Sequence, residues 1–119
     1  MKIVKLSEVP IEDRGQYSIR RLFTEKLHHN PENVGLYETT IQPGEKVSYH
    51  YHANLDEVII FVTNGRMKIG DEMHNFSPGD LVYLDSGSVH EIYADEIEVK
   101  LFAIKLPDIK DDKVLPEKS

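Results

Sequence analysis

The chain contains no cysteine among its 119 residues. A disulfide framework, a thiolate nucleophile and a cysteine-ligated zinc site are therefore excluded, and any metal must be held by histidine and carboxylate. Positive charge is also scarce. Fourteen Lys and Arg stand against twenty-one Asp and Glu, giving a formal net charge of −7, and no basic stripe is evident. This argues against nucleic acid or an anionic membrane surface as the main partner, since both need clustered cations. Long hydrophobic runs are missing too: nothing approaches the roughly 20 apolar residues of a membrane span, and the opening MKIVKLSEVP lacks the apolar core of a secretory signal. The expectation is a cytoplasmic protein with no membrane or nucleic-acid partner, acting on or binding a small molecule. No glycine-rich phosphate loop and no serine-nucleophile motif appears.

No window of 12 or more residues carries a sustained helical stripe. What recurs is short apolar runs separated by turn signals, an all-β pattern. Residues 1–15 read as an N-terminal arm broken by Pro10 and Gly15. Strands are then expected at QYSIRRLFT, GLYETTI, VSYHYH, DEVIIFV, RMKI, LVYL, HEIYA and EVKLFAI, with a polar loop over residues 25–34. Turns are expected at Pro43-Gly44, Asn64-Gly65, Gly70-Asp71, Pro78-Gly79 and Ser86-Gly87. Residues 16–106 form the single domain that this length allows, and residues 107–119 form a charged C-terminal tail, mobile or packed on a neighbour. Eight or so strands so evenly punctuated imply a sandwich or a jelly-roll barrel.

The stretch HYHANLDEVIIF, residues 50–61, concentrates the chemistry. The two-residue period of a strand sends His50 and His52 to one face and Tyr49 and Tyr51 to the other. Same-face neighbours lie about 6 to 7 Å apart at Cα, near enough for two imidazoles to converge on one cation. After a short turn, Glu57 opens the next strand on a face it shares with Ile59 and Phe61. An uncompensated carboxylate on such a core face is costly, and a bound cation removes the cost. A histidine pair alone also describes ordinary satisfied core residues; Glu57 is what tilts the reading toward metal. Asp56 is the carboxylate that a one-residue slip in register would substitute.

The spacing Gly44, five residues, His50-Tyr51-His52, four residues, Glu57 resembles the first motif of the cupin superfamily, and Gly79, five residues, Asp85-Ser86-Gly87, two residues, His90 resembles the second. Asp85 stands where the family has proline, seven residues rather than six separate Glu57 from Gly65, and Ala94 replaces a frequent asparagine. The resemblance implies a small single-domain cupin: an all-β, double-stranded β-helix (jelly-roll) barrel. It further implies that His50, His52, Glu57 and His90 ligate one divalent transition metal ion per chain, with one or two positions open. Imidazole with carboxylate suits Fe, Mn, Ni, Cu or Zn.

The function this implies is a metal-dependent enzyme of dioxygenase or isomerase type acting on a small organic molecule. The alternative is a non-catalytic small-molecule-binding or sensor cupin. No inward cluster of Lys or Arg is evident in the sequence, which argues against a phosphosugar or a dicarboxylate; of the adjacent Arg20 and Arg21, only one can face inward. His28, His29 and His74 read as loop and hairpin residues. Val58, Ile60 and Val62 make the opposite face of the Glu57 strand apolar as well, so that face needs a cover. A second subunit is the expected cover, giving a homodimer, and the arm or the tail is the competing one.

Overall fold

The computed structural model describes residues 6–24 and 28–116. The chain forms eleven strands in two antiparallel sheets, with one 3₁₀ turn at Leu6–Glu8 and no α-helix among the described residues. Eight strands fall where alternation and turn residues place them: β2 (Tyr17–Phe23), β3 (Gly35–Ile41), β4 (Lys46–His52), β5 (Asp56–Phe61), β6 (Gly65–Ile69), β8 (Leu81–Leu84), β9 (His90–Tyr93) and β10 (Val99–Leu106). Three more are β1 (Glu12–Asp13), β7 (Glu72–Phe76) and β11 (Lys113–Val114). β7 lacks any apolar alternation because four of its five residues are exposed; its pairing with β6 around the Gly70 turn makes it a strand.

One sheet has the order β1-β2-β3-β10-β5-β8 and the other β11-β4-β9-β6-β7. This is the expected all-β jelly roll. Inward residues of both sheets make the core, including Ile41, Val47, Ile59, Phe61, Met67, Ile92, Val99 and Leu101. Residues 107–116 belong to the segment expected to be a charged tail, mobile or packed on a neighbour. They pack on their own chain, with β11 paired to β4 at Lys113–His52 and Val114–Tyr51. Asp112 anchors this segment, its carboxylate accepting hydrogen bonds from the Asn54 backbone N–H at 2.8 Å and the Asn54 amide at 2.9 Å.

Strand β4 contains a feature that alternation cannot supply. Val47 pairs with Ile92 and His50 with His90, so three steps along β4 match two along β9. The extra residue is a β-bulge, which reverses parity within the strand. Val47, His50 and His52 are consequently all buried, although an unbroken strand would put Val47 on the face of Tyr49 and Tyr51.

The turn glycine Gly65 is required by packing. A Cβ there would stand 2.5 Å from Cε1 of Phe61, a fully buried ring stacked on Phe76 with centroids 4.5 Å apart. Gly65→Ala is expected to cost about 1–3 kcal/mol through overpacking. Urea denaturation measures this, and an unchanged midpoint would contradict the packing argument.

Candidate metal centre

His50 and His52 come from β4, His90 from the start of β9, and Glu57 from β5 in the facing sheet. All four are buried, between 1% and 6% exposed. The structure brings the three histidines together as a possible metal site, with one ring nitrogen of each lying within 4.8 Å of the others. Two donors bonded to one ion at about 2.1 Å lie roughly 3 to 4 Å apart, so a small contraction closes the set. Glu57 touches two of the three: its Oε1 is 3.6 Å from Nε2 of His52 and 3.5 Å from Nε2 of His90.

Local hydrogen bonds fix how two of the rings are presented. Nδ1 of His50 lies 2.6 Å from the Ser48 carbonyl, and Nδ1 of His90 lies 2.9 Å from the Ser88 carbonyl. A carbonyl only accepts, so both Nδ1 atoms carry protons, and each neutral ring then offers its Nε2 lone pair. Burial, reinforced by the neighbouring His90, pushes the His50 imidazole down to about 3, so it is neutral at ordinary pH. Burial alone would push the Glu57 carboxyl up. Its contacts with His52 and His90 outweigh that and hold it well below the usual carboxylate range.

These facts test whether a metal fits. With its proton on Nδ1 alone, His90 would aim a lone pair at a buried carboxylate oxygen 3.5 Å away, an arrangement that repels unless a second proton or a metal cation lies between the two. The buried Nδ1 of His52 has no hydrogen-bond partner among the described residues. Electron-rich atoms converging among buried residues suit a divalent cation.

The donors open onto a cavity of about 330 Å³ that His50, His52 and Glu57 help to line. Val47, Ile59, Ile92 and Leu101 give it apolar walls. Contrary to the expectation of no inward Lys or Arg cluster, Arg14, Arg21, Lys105, Lys110 and Lys113 all line this cavity, against Glu57, Asp111 and Asp112. Lys105 is half-buried and the other four cations are exposed. The set is assembled from the arm, β2, β10 and the tail. Only Arg21 of the adjacent arginine pair contributes; Arg20 is turned the other way, toward Glu38 at 3.7 Å. The sequence did hold a signal for Lys105, which shares parity with the buried Leu101 and Ala103.

The remaining candidates lie elsewhere. His28, His29 and His74 are exposed. Tyr49 and Tyr51 do not line the cavity, and Tyr49 donates to the Gly70 carbonyl at 3.1 Å. Asp56 accepts from the Ser86 backbone N–H at 3.0 Å, which ties the turn before His90 to the start of β5. Asp85, at the position of the motif's proline, caps that same turn by accepting from Ser88.

The cupin domain family matches residues 37–105, more than half of the chain, and the chain belongs to that family. No curated protein matches it in sequence. Its fold is similar to KdgF from Halomonas sp., with 15% identity, a TM-score of 0.82 and coverage of 93% of this chain and 97% of that one. A protein described as a predicted oxalate decarboxylase from Thermotoga maritima is 21% identical, with a TM-score of 0.76 over 88% of this chain and 98% of that one. The polyketide cyclase RemF from Streptomyces resistomycificus is 16% identical, with a TM-score of 0.74 over 94% and 89%. At these identities the likeness concerns the fold.

Replacing His50, His52 or His90 with alanine is expected to lower metal affinity about tenfold or more and to abolish metal-dependent gains in thermal stability. Alanine at His28, His29 or His74 should change neither. Metal content measured after equilibrium dialysis decides this, and wild-type occupancy in His90→Ala would refute the assignment.

Proposed function

We propose that the chain is a metal-dependent cupin enzyme acting on a small organic molecule, in which His50, His52 and His90 hold a divalent transition metal and Glu57 supplies a fourth donor. The observation that carries this reading is the cavity: three of the four donors, His50, His52 and Glu57, stand on the wall of a space large enough for a small ligand rather than in a closed knot of protein. A purely structural metal needs no such access.

A metal bound there supplies Lewis-acid polarisation of a substrate oxygen or, if redox-active, electron transfer. The protein's part rests on its own residues. The Ser48 and Ser88 carbonyls hold the His50 and His90 rings in one tautomer and orientation. Val47, Ile59, Ile92 and Leu101 lower the polarity around the donors, which strengthens charge interactions beside them. Burial and a 2.6 Å hydrogen bond to Asp108 push the Tyr37 phenol up, so this lining hydroxyl stays neutral.

Four protein donors leave two positions of an octahedral ion open. Loaded anaerobically with Fe(II), the protein should bind nitric oxide and give an iron-nitrosyl signal by electron paramagnetic resonance, weakened in Glu57→Ala. Tight iron binding without that signal would favour a structural metal.

The outer face of the first sheet supports the homodimer. Cross-strand pairs place Val58 beside Ile104 and Tyr83, and Ile60 beside Phe102 and Leu81, a continuous apolar surface. Leu81 and Tyr83 are 57% and 53% exposed. Among the described residues the competing covers lie elsewhere: β1 sits at the far edge of this sheet, and β11 joins the other sheet. Ile60→Asp should convert a dimer to monomer or aggregate in analytical ultracentrifugation. A native protein sedimenting as monomer at about 10 μM would argue against the dimer.

A further inference from the structure

Lys105 occupies an unusual place for a lysine. It lies on β10, directly across from Glu57 on β5 in the antiparallel register, and both side chains line the cavity. Among the described residues its ammonium has no carboxylate partner. It stands over the Tyr37 ring instead, 4.8 Å from the centroid, and the Arg21 guanidinium approaches the same ring at 5.6 Å. Tyr37 in turn is held by its hydrogen bond to Asp108. Two cations around a fixed ring thus make one wall, a strand away from the carboxylate that touches the histidines.

Charge on this wall runs against the rest of the chain. Five basic and three acidic residues line the cavity of a chain whose net charge is −7. Such a local reversal attracts and orients an anion in an otherwise repelling surface field. We propose that the substrate of the metal centre carries a carboxylate, bound by Lys105 with Arg21 beside it, while another oxygen of the same molecule reaches toward the histidines.

Carboxylate fits this wall better than a phosphate dianion. Arg21 is already shared with Glu12, its Nε lying 2.9 and 3.0 Å from the two carboxylate oxygens. Glu57 is the cross-strand neighbour of Lys105 and repels a second negative charge. Lys113, across from His52, donates its Nζ–H to the Tyr17 hydroxyl at 3.1 Å. Lys105 instead stands across from Glu57 with the Tyr37 ring beneath its ammonium, a position suited to a single charge. The cavity of about 330 Å³ is at the small end for ligand sites, which suits a short acid.

Carboxylate capture at Lys105 rests on the metal-centre reading, and the two fail differently. The test titrates metal-loaded protein with glycolate, lactate, neutral glycolamide and inorganic phosphate by calorimetry, with metal content measured for every variant. In the wild type a carboxylate should bind and glycolamide should bind at least about tenfold more weakly. Lys105→Met should lose about tenfold or more in carboxylate affinity while keeping its metal, and Lys105→Arg should regain part of it. Lys105→Gln serves as a milder second variant if Lys105→Met folds poorly. Equal carboxylate affinity in wild type and the Lys105 variants overturns the assignment, as does phosphate binding more tightly than either acid, or no acid binding below about 10 mM. Loss of metal from Lys105→Met also overturns it, since Lys105 would then support the centre rather than the ligand. A wild type that retains no metal refutes the metal reading itself.

Discussion

A carboxylate oxygen about 3.5 Å from two imidazole nitrogens, inside a barrel lined by Val, Ile and Leu, governs the architecture around it. Buried ionisable groups are tolerated only when opposite charge or hydrogen bonds offset their lost hydration. Two of the three imidazoles donate their Nδ1–H to backbone carbonyls, so Glu57 depends on what lies between its oxygen and the Nε2 atoms of His52 and His90. A second proton on an imidazole, or a divalent cation held by the same donors, would supply the positive charge needed there. Binding such an ion adds to folding stability in the same stroke, because the unfolded chain cannot assemble the donors.

The two sheets divide the labour. The sheet containing β4 and β9 supplies all three histidines, and the facing sheet supplies Glu57, Lys105, Arg21 and Tyr37. A molecule in the cavity would therefore lie between sheets, with the imidazoles on one side and Glu57 and the charged groups on the other. This arrangement says more about chemistry than the fold does, since one fold carries many activities. Similar barrels with 15% to 21% identity include a polyketide cyclase and a protein described as a decarboxylase.

Much of this was legible in the sequence, for physical reasons that also mark where legibility stopped. Alternation found β5 because Glu57, Ile59 and Phe61 share a face that really is buried. It placed His50 and His52 together for the same reason. It could not register the bulge in β4, which depends on pairing with β9 rather than on residue type. Nor could it find β7, an exposed edge, or β11, two residues whose strand character comes wholly from their partner. The cationic lining was invisible for a related reason. Arg14, Arg21, Lys105 and Lys113 are scattered along the chain, and only closure of the barrel brings them to one cavity. Of these, Lys105 alone was recoverable, from its parity with Leu101 and Ala103.

The return of the chain onto β4 changes the standing of that strand. With β9 on one side and β11 on the other, β4 is an interior strand, and the Ala53 backbone N–H is donated to the Asp112 carbonyl at 3.2 Å. At Tyr51 and His52 the backbone beside the donors is therefore paired on both flanks only while β11 stays docked. Amide exchange along β11 would thus report on the donor strand as well as on the C-terminal segment itself.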